Sequence, residues 1–285
     1  MTTGPTLDWT APEAFTIAGE PFVCGYGAST PQALCVRKPP ALVERIVSIL
    51  REVEPRRMVE LGIAQGGSIA LSCLVSDPEL LVAFELSEHR IEPLDRFLTR
   101  RNLTDRVDLH YGTDQGDGRL LHDRVVTKTG GAALDLVIDD ASHRYEETRA
   151  SFEALFPLLR PGGLFVIEDW GWQLRGRRLF GTFEDGIRDR QAAGTESEPY
   201  GGARRGTYLG VYLENANQVP LVRFTAEILM AQACATEAIA SVRADAAVCV
   251  VERGAADLDP DAFRLADYYV DYSDYRGILR DLPLA

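Results

Sequence analysis

Between Arg56 and Trp170, short apolar runs alternate with helix-like stretches, and this rhythm limits the fold more than any other feature of the chain. The runs are RRMVELG, LLVAFEL, RVDLHYG, LDLVIDD and GLFVIED. SIALSCLV, SEHRIEPLDRFLTRR, GRLLHDRVVTK and YEETRASFEALFPLL lie between them. LDLVI, apart from Asp135, and GLFVI read as continuous apolar runs, as strands buried on both faces do. Strands and helices in strict alternation predict an α/β fold, a mostly parallel sheet with helices on both faces. Pro161-Gly162-Gly163 is expected to break the chain between the fourth of these helices and the fifth strand.

The flanks read differently. Residues 1–40 are rich in Gly, Pro and Thr without a sustained period, and read as an N-terminal arm with room for one short helix or strand. From Ala41, residues Leu42, Ile46, Ile49, Leu50 and Val53 recur at three- and four-residue steps. ALVERIVSILREV is therefore an amphipathic helix that stops before Pro55, and it opens a core spanning 41–170. Residues 171–222 carry many Gly and Arg residues and little periodicity. A loop that long is a functional lid or a mobile insertion. The last helix and strand of the core are assigned to 223–253, in LVRFTAEILMAQACATEAI and AAVCVVERG. Residues 254–285 form a tail whose clustered tyrosines are expected to pack on the core or on a neighbouring subunit.

A chain of 285 residues holds one large α/β domain with additions. Its net charge of −13 argues against a nucleic-acid partner, since phosphate backbones favour basic surfaces. No stretch approaches the roughly 20 apolar residues of a membrane span, so no membrane partner is expected. MTTGPTLDWTAPEAF lacks the basic start and apolar run of a secretory signal, which leaves a cytoplasmic location as the expectation. Five cysteines, an odd number without CxxC spacing, fit neither a disulfide framework nor a thiolate metal site and read as reduced, mostly buried thiols.

The first strand runs into Glu60-x-Gly62-x-Ala64-x-Gly66-Gly67-Ser68. Glycines let a backbone turn sharply and approach a ligand, and the next helix N-terminus presents free N–H groups. The second strand ends in Glu85, about twenty residues on, where a carboxylate can accept both hydroxyls of a ribose. The third ends in YGTDQGD, which brings Asp114 and Gln115 to the place where an adenine edge is read. Asp139, at the tip of the fourth strand, is grouped with them. All lie at carboxyl ends of strands, where open α/β sheets bind ligands, and together they predict a nucleoside cofactor. ELGIAQGGS, FELSEH, GTDQ and LRPGGLFVIED together resemble class I S-adenosylmethionine (SAM)-dependent methyltransferases, with Ala64 in place of the usual middle glycine. The resemblance implies their Rossmann-like fold and SAM as cofactor.

The fourth strand ends in Asp139-Asp140-Ala141-Ser142-His143 and the fifth in Glu168-Asp169-Trp170. One helix and one turn separate them, the length of a crossover between neighbouring parallel strands, which sit about 4.8 Å apart. The two acidic clusters should converge, and so many carboxylates together call for a cation. Oxygen ligands suit Mg²⁺, with Mn²⁺ or Ca²⁺ as alternatives.

DDASH followed by LRPGGLFVIEDW is similar to the metal-dependent O-methyltransferases of macrolide sugars, the mycinamicin and tylosin type, and to cephalosporin hydroxylase-like proteins. The likeness runs from about Met58 to Trp170, with Ala141 standing where glycine is expected. It implies that Asp140, Glu168 and Asp169 hold the metal and that His143 is the general base. It further implies O-methylation of a sugar on a secondary metabolite, a glycosylated natural product as substrate, and a homo-oligomer. A metal that binds two neighbouring hydroxyls stabilises alkoxide charge, and a histidine can take the proton at neutral pH. Competing readings are a nicotinamide-dinucleotide oxidoreductase, against which the absent GxGxxG spacing speaks, and a non-catalytic SAM-binding protein. Trp170 and Trp172 are candidates for an apolar wall around the substrate, and Arg175, Arg177 and Arg178 for contacts to an anionic one. His89, His110 and His122 carry no supporting pattern.

Overall fold

The computed structural model describes residues 5–175 and 218–270. Most of the expected 171–222 insertion, including Arg177 and Arg178, and residues 271–285 of the tail lie outside the described residues, as does the side chain of Arg175. Within the described residues, each of the five apolar runs forms a strand and each intervening stretch contains a helix.

The N-terminal arm is more ordered than its composition suggests. β1 (Asp8–Ala11), β2 (Ala14–Ile17), β3 (Glu20–Cys24) and β4 (Leu34–Val36) form a sheet of their own in the order β1-β2-β3-β4. Ala18 and Gly19, with φ of 48° and 78°, make the two-residue turn between β2 and β3. A hairpin turn with two positive φ values usually announces itself as Asn-Gly or Asp-Gly, and alanine at the first position removes that signal. Phe15, Ile17 and Phe22 bury fully on one side, and the rings of Phe15 and Phe22 stack at 5.1 Å.

The core helix α1 (Pro40–Val53) follows, then β5 (Arg57–Leu61), α2 (Gly67–Ser76), β6 (Leu80–Glu85), α3 (Glu92–Arg100), β7 (Val107–Tyr111), α4 (Gly118–Thr129), β8 (Leu134–Asp139), α5 (Tyr145–Leu155) and β9 (Leu159–Glu168). After the insertion come α6 (Leu221–Cys234), β10 (Ile239–Ala244) and β11 (Val248–Arg253). The seven strands from β5 onward order as β10-β11-β9-β8-β5-β6-β7; only β11 runs antiparallel to its neighbours. This is a Rossmann-like α/β sheet.

Successive residues of a strand face opposite sides. Met58, Leu81, Leu136 and Val166 pack with Ile46, Leu50, Ile69 and Phe97 on one face. Val59, Val82, Val137 and Phe165 pack with Leu121, Phe152, Phe224 and Ile228 on the other. Each such side chain contributes about 1.5–3 kcal/mol when fully buried, so helices on both faces are what keep the apolar centre of this sheet covered.

Three boundaries differ from the sequence reading. Pro161-Gly162-Gly163 lies inside β9 rather than ahead of it. The register shift between β8 and β9 falls at that point, and Gly162 takes φ +76°, so the strand bulges and continues. The last helix begins at Leu221 and stops at Cys234; Ile239, expected at its end, opens β10, so the core closes with two strands after α6 and not one. α3 starts only at Glu92, with Pro93 in its first turn. No described helix is long and apolar enough to cross a membrane. All five cysteines are free, four of them buried, and only Cys234 is exposed.

Candidate active site

The carboxyl ends of β5, β6, β7 and β8 open onto one cleft of about 450 Å³. Backbone bonds continue past the strand ends and hold the loops in place. Gly62 N donates to Phe84 O at 2.8 Å, Thr113 N to Glu85 O at 2.9 Å, and Asp140 N to Leu61 O at 3.0 Å. Gly62, Ala64, Glu85, Asp114, Gln115 and Asp140 all line the cleft, joined by Arg37 from the N-terminal arm.

The glycine loop turns through positive φ at Gly62 (96°), Ala64 (47°) and Gly66 (77°). Ala64 therefore carries the strain that makes glycine usual at such a position. Gly66 and Gly67 face protein rather than the cleft. A Cβ at Gly66 would meet the Leu94 side chain at 2.8 Å, and one at Gly67 would meet the Cys35 carbonyl oxygen at 2.3 Å. Ser68 lies in the first turn of α2 and does not line the cleft. Glu85 accepts from the amides of Ile63 (3.1 Å), Ala64 (2.9 Å) and Ser87 (2.9 Å), so it fastens the glycine loop to the end of β6 while facing the cleft. Beside it Leu86 is 69% exposed, an apolar surface at the cleft with nothing packed over it.

Asp114, exposed on the rim, accepts from Gly116 N at 2.8 Å. Gln115 is buried and heavily engaged. Its Nε2 donates to Asp139 Oδ1 (2.7 Å), Asp139 Oδ2 (2.5 Å) and Ser151 Oγ (3.1 Å), and its Oε1 accepts from Ser142 N (3.0 Å). Asp139 lies beneath the cleft without lining it, and also accepts from Ser151 Oγ at 2.8 Å. Burial, joined by the Asp140 charge, pushes the Asp139 pKa up to about 7 against its hydrogen bonds. Glu60 is fully buried, accepts from Ser72 Oγ at 3.3 Å, and is raised by burial too. Asp139 and Glu60 thus stand under the floor of the cleft.

At one end of the cleft Asp140, His143 and Asp169 converge, with one ligand atom of each lying within 4.8 Å of the others. His143 Nε2 is 3.7 Å from Asp140 Oδ1. Two backbone features build this corner: His143 and Asp169 both take left-handed conformations, φ 54° and 51°. Trp172 Nε1 donates to the His143 carbonyl at 2.9 Å, and Asp169 N to Ala247 O at 2.8 Å. Trp170 Nε1 donates to Asp245 O at 2.9 Å while its ring packs on the core.

Glu168 does not join that group. It is 1% exposed and accepts at 2.8 Å from Nζ of Lys38, which also bonds Asp140 Oδ2. Lys38 is a residue that sequence reasoning missed. It sits in the arm between β4 and α1, 102 and 130 residues from its partners, and no local pattern marks it. Burial works to lower its pKa, but the carboxylates of Asp140, Glu168 and Glu60 outweigh it and hold the ammonium protonated. Burial and the Asp140 charge raise Glu168, opposed by Lys38.

These residues fit a metal. The donors are hard oxygens plus one imidazole, Glu168 Oε1 is buried without a hydrogen-bond partner, and one ammonium faces several carboxylates. His110 and His122 pair with Asp108 and Asp123 and do not line the cleft.

Residues 59–170, which contain every strand end of this cleft, match the family model described as a methyltransferase domain. Short segments of the chain are similar to characterised O-methyltransferases. Mycinamicin VI 2''-O-methyltransferase of Micromonospora griseorubida is 54% identical over 56 residues, 20% of this chain and 13% of that protein. Demethylmacrocin O-methyltransferase of Streptomyces fradiae is 69% identical over 36 residues, 13% of this chain and 9% of that protein. L-olivosyl-oleandolide 3-O-methyltransferase of Streptomyces antibioticus is 41% identical over 76 residues, 27% of this chain and 19% of that protein. The matches thus span less than a fifth of each relative's length. Among solved structures, the MycE methyltransferase in complex with Mg, SAH and mycinamycin VI aligns over 80% of this chain and 51% of its own, with 23% identity and a TM-score of 0.46.

Proposed function

We propose that the protein is a SAM-dependent O-methyltransferase that uses a divalent metal ion, Mg²⁺ first among candidates, and methylates a hydroxyl of a sugar on a natural product. The observation that carries the reading is the position of Asp140, which lines the cofactor cleft and belongs to the Asp140–His143–Asp169 group. Donor and acceptor would meet there. The relatives named as O-methyltransferases of mycinamicin VI, demethylmacrocin and L-olivosyl-oleandolide support the acceptor class.

In this reading Glu85 binds the ribose hydroxyls, Gly62 and Ala64 give the cofactor a close backbone surface, and Asp114 meets the base from the rim. Asp140, Glu168 and Asp169 hold the ion. When bound, SAM supplies a methyl group on a positively charged sulfur and the ion supplies Lewis-acid stabilisation of a developing alkoxide. His143, partly exposed and next to Asp140, accepts the proton of the acceptor hydroxyl at Nε2, which turns a poor nucleophile into a competent one. The loops fix the acceptor oxygen beside the donor, and proximity supplies much of the remaining rate.

Thermal unfolding with SAM, S-adenosylhomocysteine (SAH) or NAD, each with and without Mg²⁺, tests the cofactor. Stabilisation by SAH and SAM supports the reading; stabilisation by NAD alone overturns it. Transfer of labelled methyl from SAM to glycosylated acceptors, lost on chelation and restored by Mg²⁺, tests the reaction.

A further inference from the structure

Only two of the thirty Lys and Arg residues of the chain are lysines, Lys38 and Lys128. Lys38 is 3% exposed, and its ammonium contacts one oxygen of Asp140 and one of Glu168. The second oxygen of each remains available. Asp140 Oδ1 faces the His143–Asp169 side, and Glu168 Oε1 is buried with no hydrogen-bond partner. Asp140, Glu168 and Asp169 carry three negative charges when ionised, and Lys38 balances one. Glu168 is buried and Asp140 and Asp169 are half-buried, so charge left uncompensated there is costly and these three carboxylates call for two more positive charges, which a divalent ion supplies. The compact ammonium of Lys38 reaches both converging carboxylates at once.

We propose that Lys38 is a positioning residue of the metal centre: it holds Asp140 and Glu168 by one oxygen each, and its single charge sets the site to take a divalent ion. Lys38 stays in place when the ion binds. The inference rests on Asp140, Glu168 and Asp169 being the metal ligands, as in the proposed function.

The test measures Mn²⁺ and Tb³⁺ binding without substrate, by electron paramagnetic resonance and by luminescence, in wild type, Lys38→Met, Lys38→Arg and Asp140→Asn. Wild type is expected to bind Mn²⁺ in a way that Asp140→Asn abolishes. In Lys38→Met the ratio of Tb³⁺ to Mn²⁺ affinity is expected to rise by about tenfold or more, because the site is now short of three charges. Lys38→Arg keeps the wild-type ratio even if both affinities fall. Equal loss of both affinities in Lys38→Met, with the ratio unchanged, reduces Lys38 to a structural role and overturns the proposal.

A second measurement needs no variant. Under acetylation followed by mass spectrometry, the half-exposed Lys128 is expected to react while Lys38 stays unmodified with and without Mn²⁺. Acetylation of Lys38 on adding Mn²⁺ means that the ion displaces it, which also overturns the proposal. Absence of any Asp140-dependent ion binding removes the metal reading itself, an outcome distinct from an unchanged ratio.

Discussion

The carbonyl oxygen of Asp140 occupies the space where Gly62 would carry a side chain: a Cβ on Gly62 would lie 2.3 Å from it. The loop after β5 and the loop after β8 thus touch backbone to backbone, and the cleft and the carboxylate corner are one construction.

Gly62→Ala is therefore expected to damage both. The residue holds φ +96°, which alanine adopts at a cost of about 1–2 kcal/mol, and relieving the clash costs about as much again. The expected loss is about 2–4 kcal/mol of stability together with weaker SAH binding, read by denaturant unfolding and calorimetry. Wild-type stability in this variant would mean that the two loops separate freely.

Glu85 joins the same loop to β6 through three amides. Hydrogen bonds to a charged group contribute about 1.5–3 kcal/mol, so Glu85→Ala should weaken SAH binding by at least about tenfold. Calorimetric titration with SAH measures it.

His143 is tested best with asparagine, which tolerates the φ of 54° found there. His143→Asn should lower turnover by about 10²- to 10⁴-fold, the usual worth of a general base, while SAH binding stays unchanged. Near-normal turnover places the base elsewhere.

Why the strands were legible and Lys38 was not follows from distance along the chain. LDLVI is buried at every residue, and apart from Asp135 its composition says so locally. The Ala18-Gly19 turn gives only half of the usual signal, and the N-terminal sheet was hidden with it. From sequence Gln115 is placed where an adenine edge is read, yet Asp139 and Ser151, 24 and 36 residues away, draw it into a buried network. The acidic strand tips were visible because each is a local run. Lys38, which bonds two of them, arrives from the N-terminal arm between β4 and α1, and only the folded chain brings it near.

Asp139 gives the protein a pH signature. Its folded pKa of about 7 exceeds the usual carboxylate value, so between about pH 4 and pH 7 the folded state binds the extra proton. The stability this contributes is full below about pH 4 and is lost as pH rises through 7, with a slope of up to about 1.4 kcal/mol per pH unit. Asp139→Asn cannot titrate and should flatten that part of the profile. Urea unfolding at pH 5 and pH 7.5 compares the two slopes; an unchanged slope would show that other groups set it.

Crystals grown with SAH and Mn²⁺ and measured at the manganese absorption edge test the central claim most directly. The account predicts an anomalous peak bounded by Asp140, Glu168 and Asp169, with SAH in the cleft between Gly62 and Glu85. Manganese bound away from Asp140, or SAH outside that cleft, contradicts it.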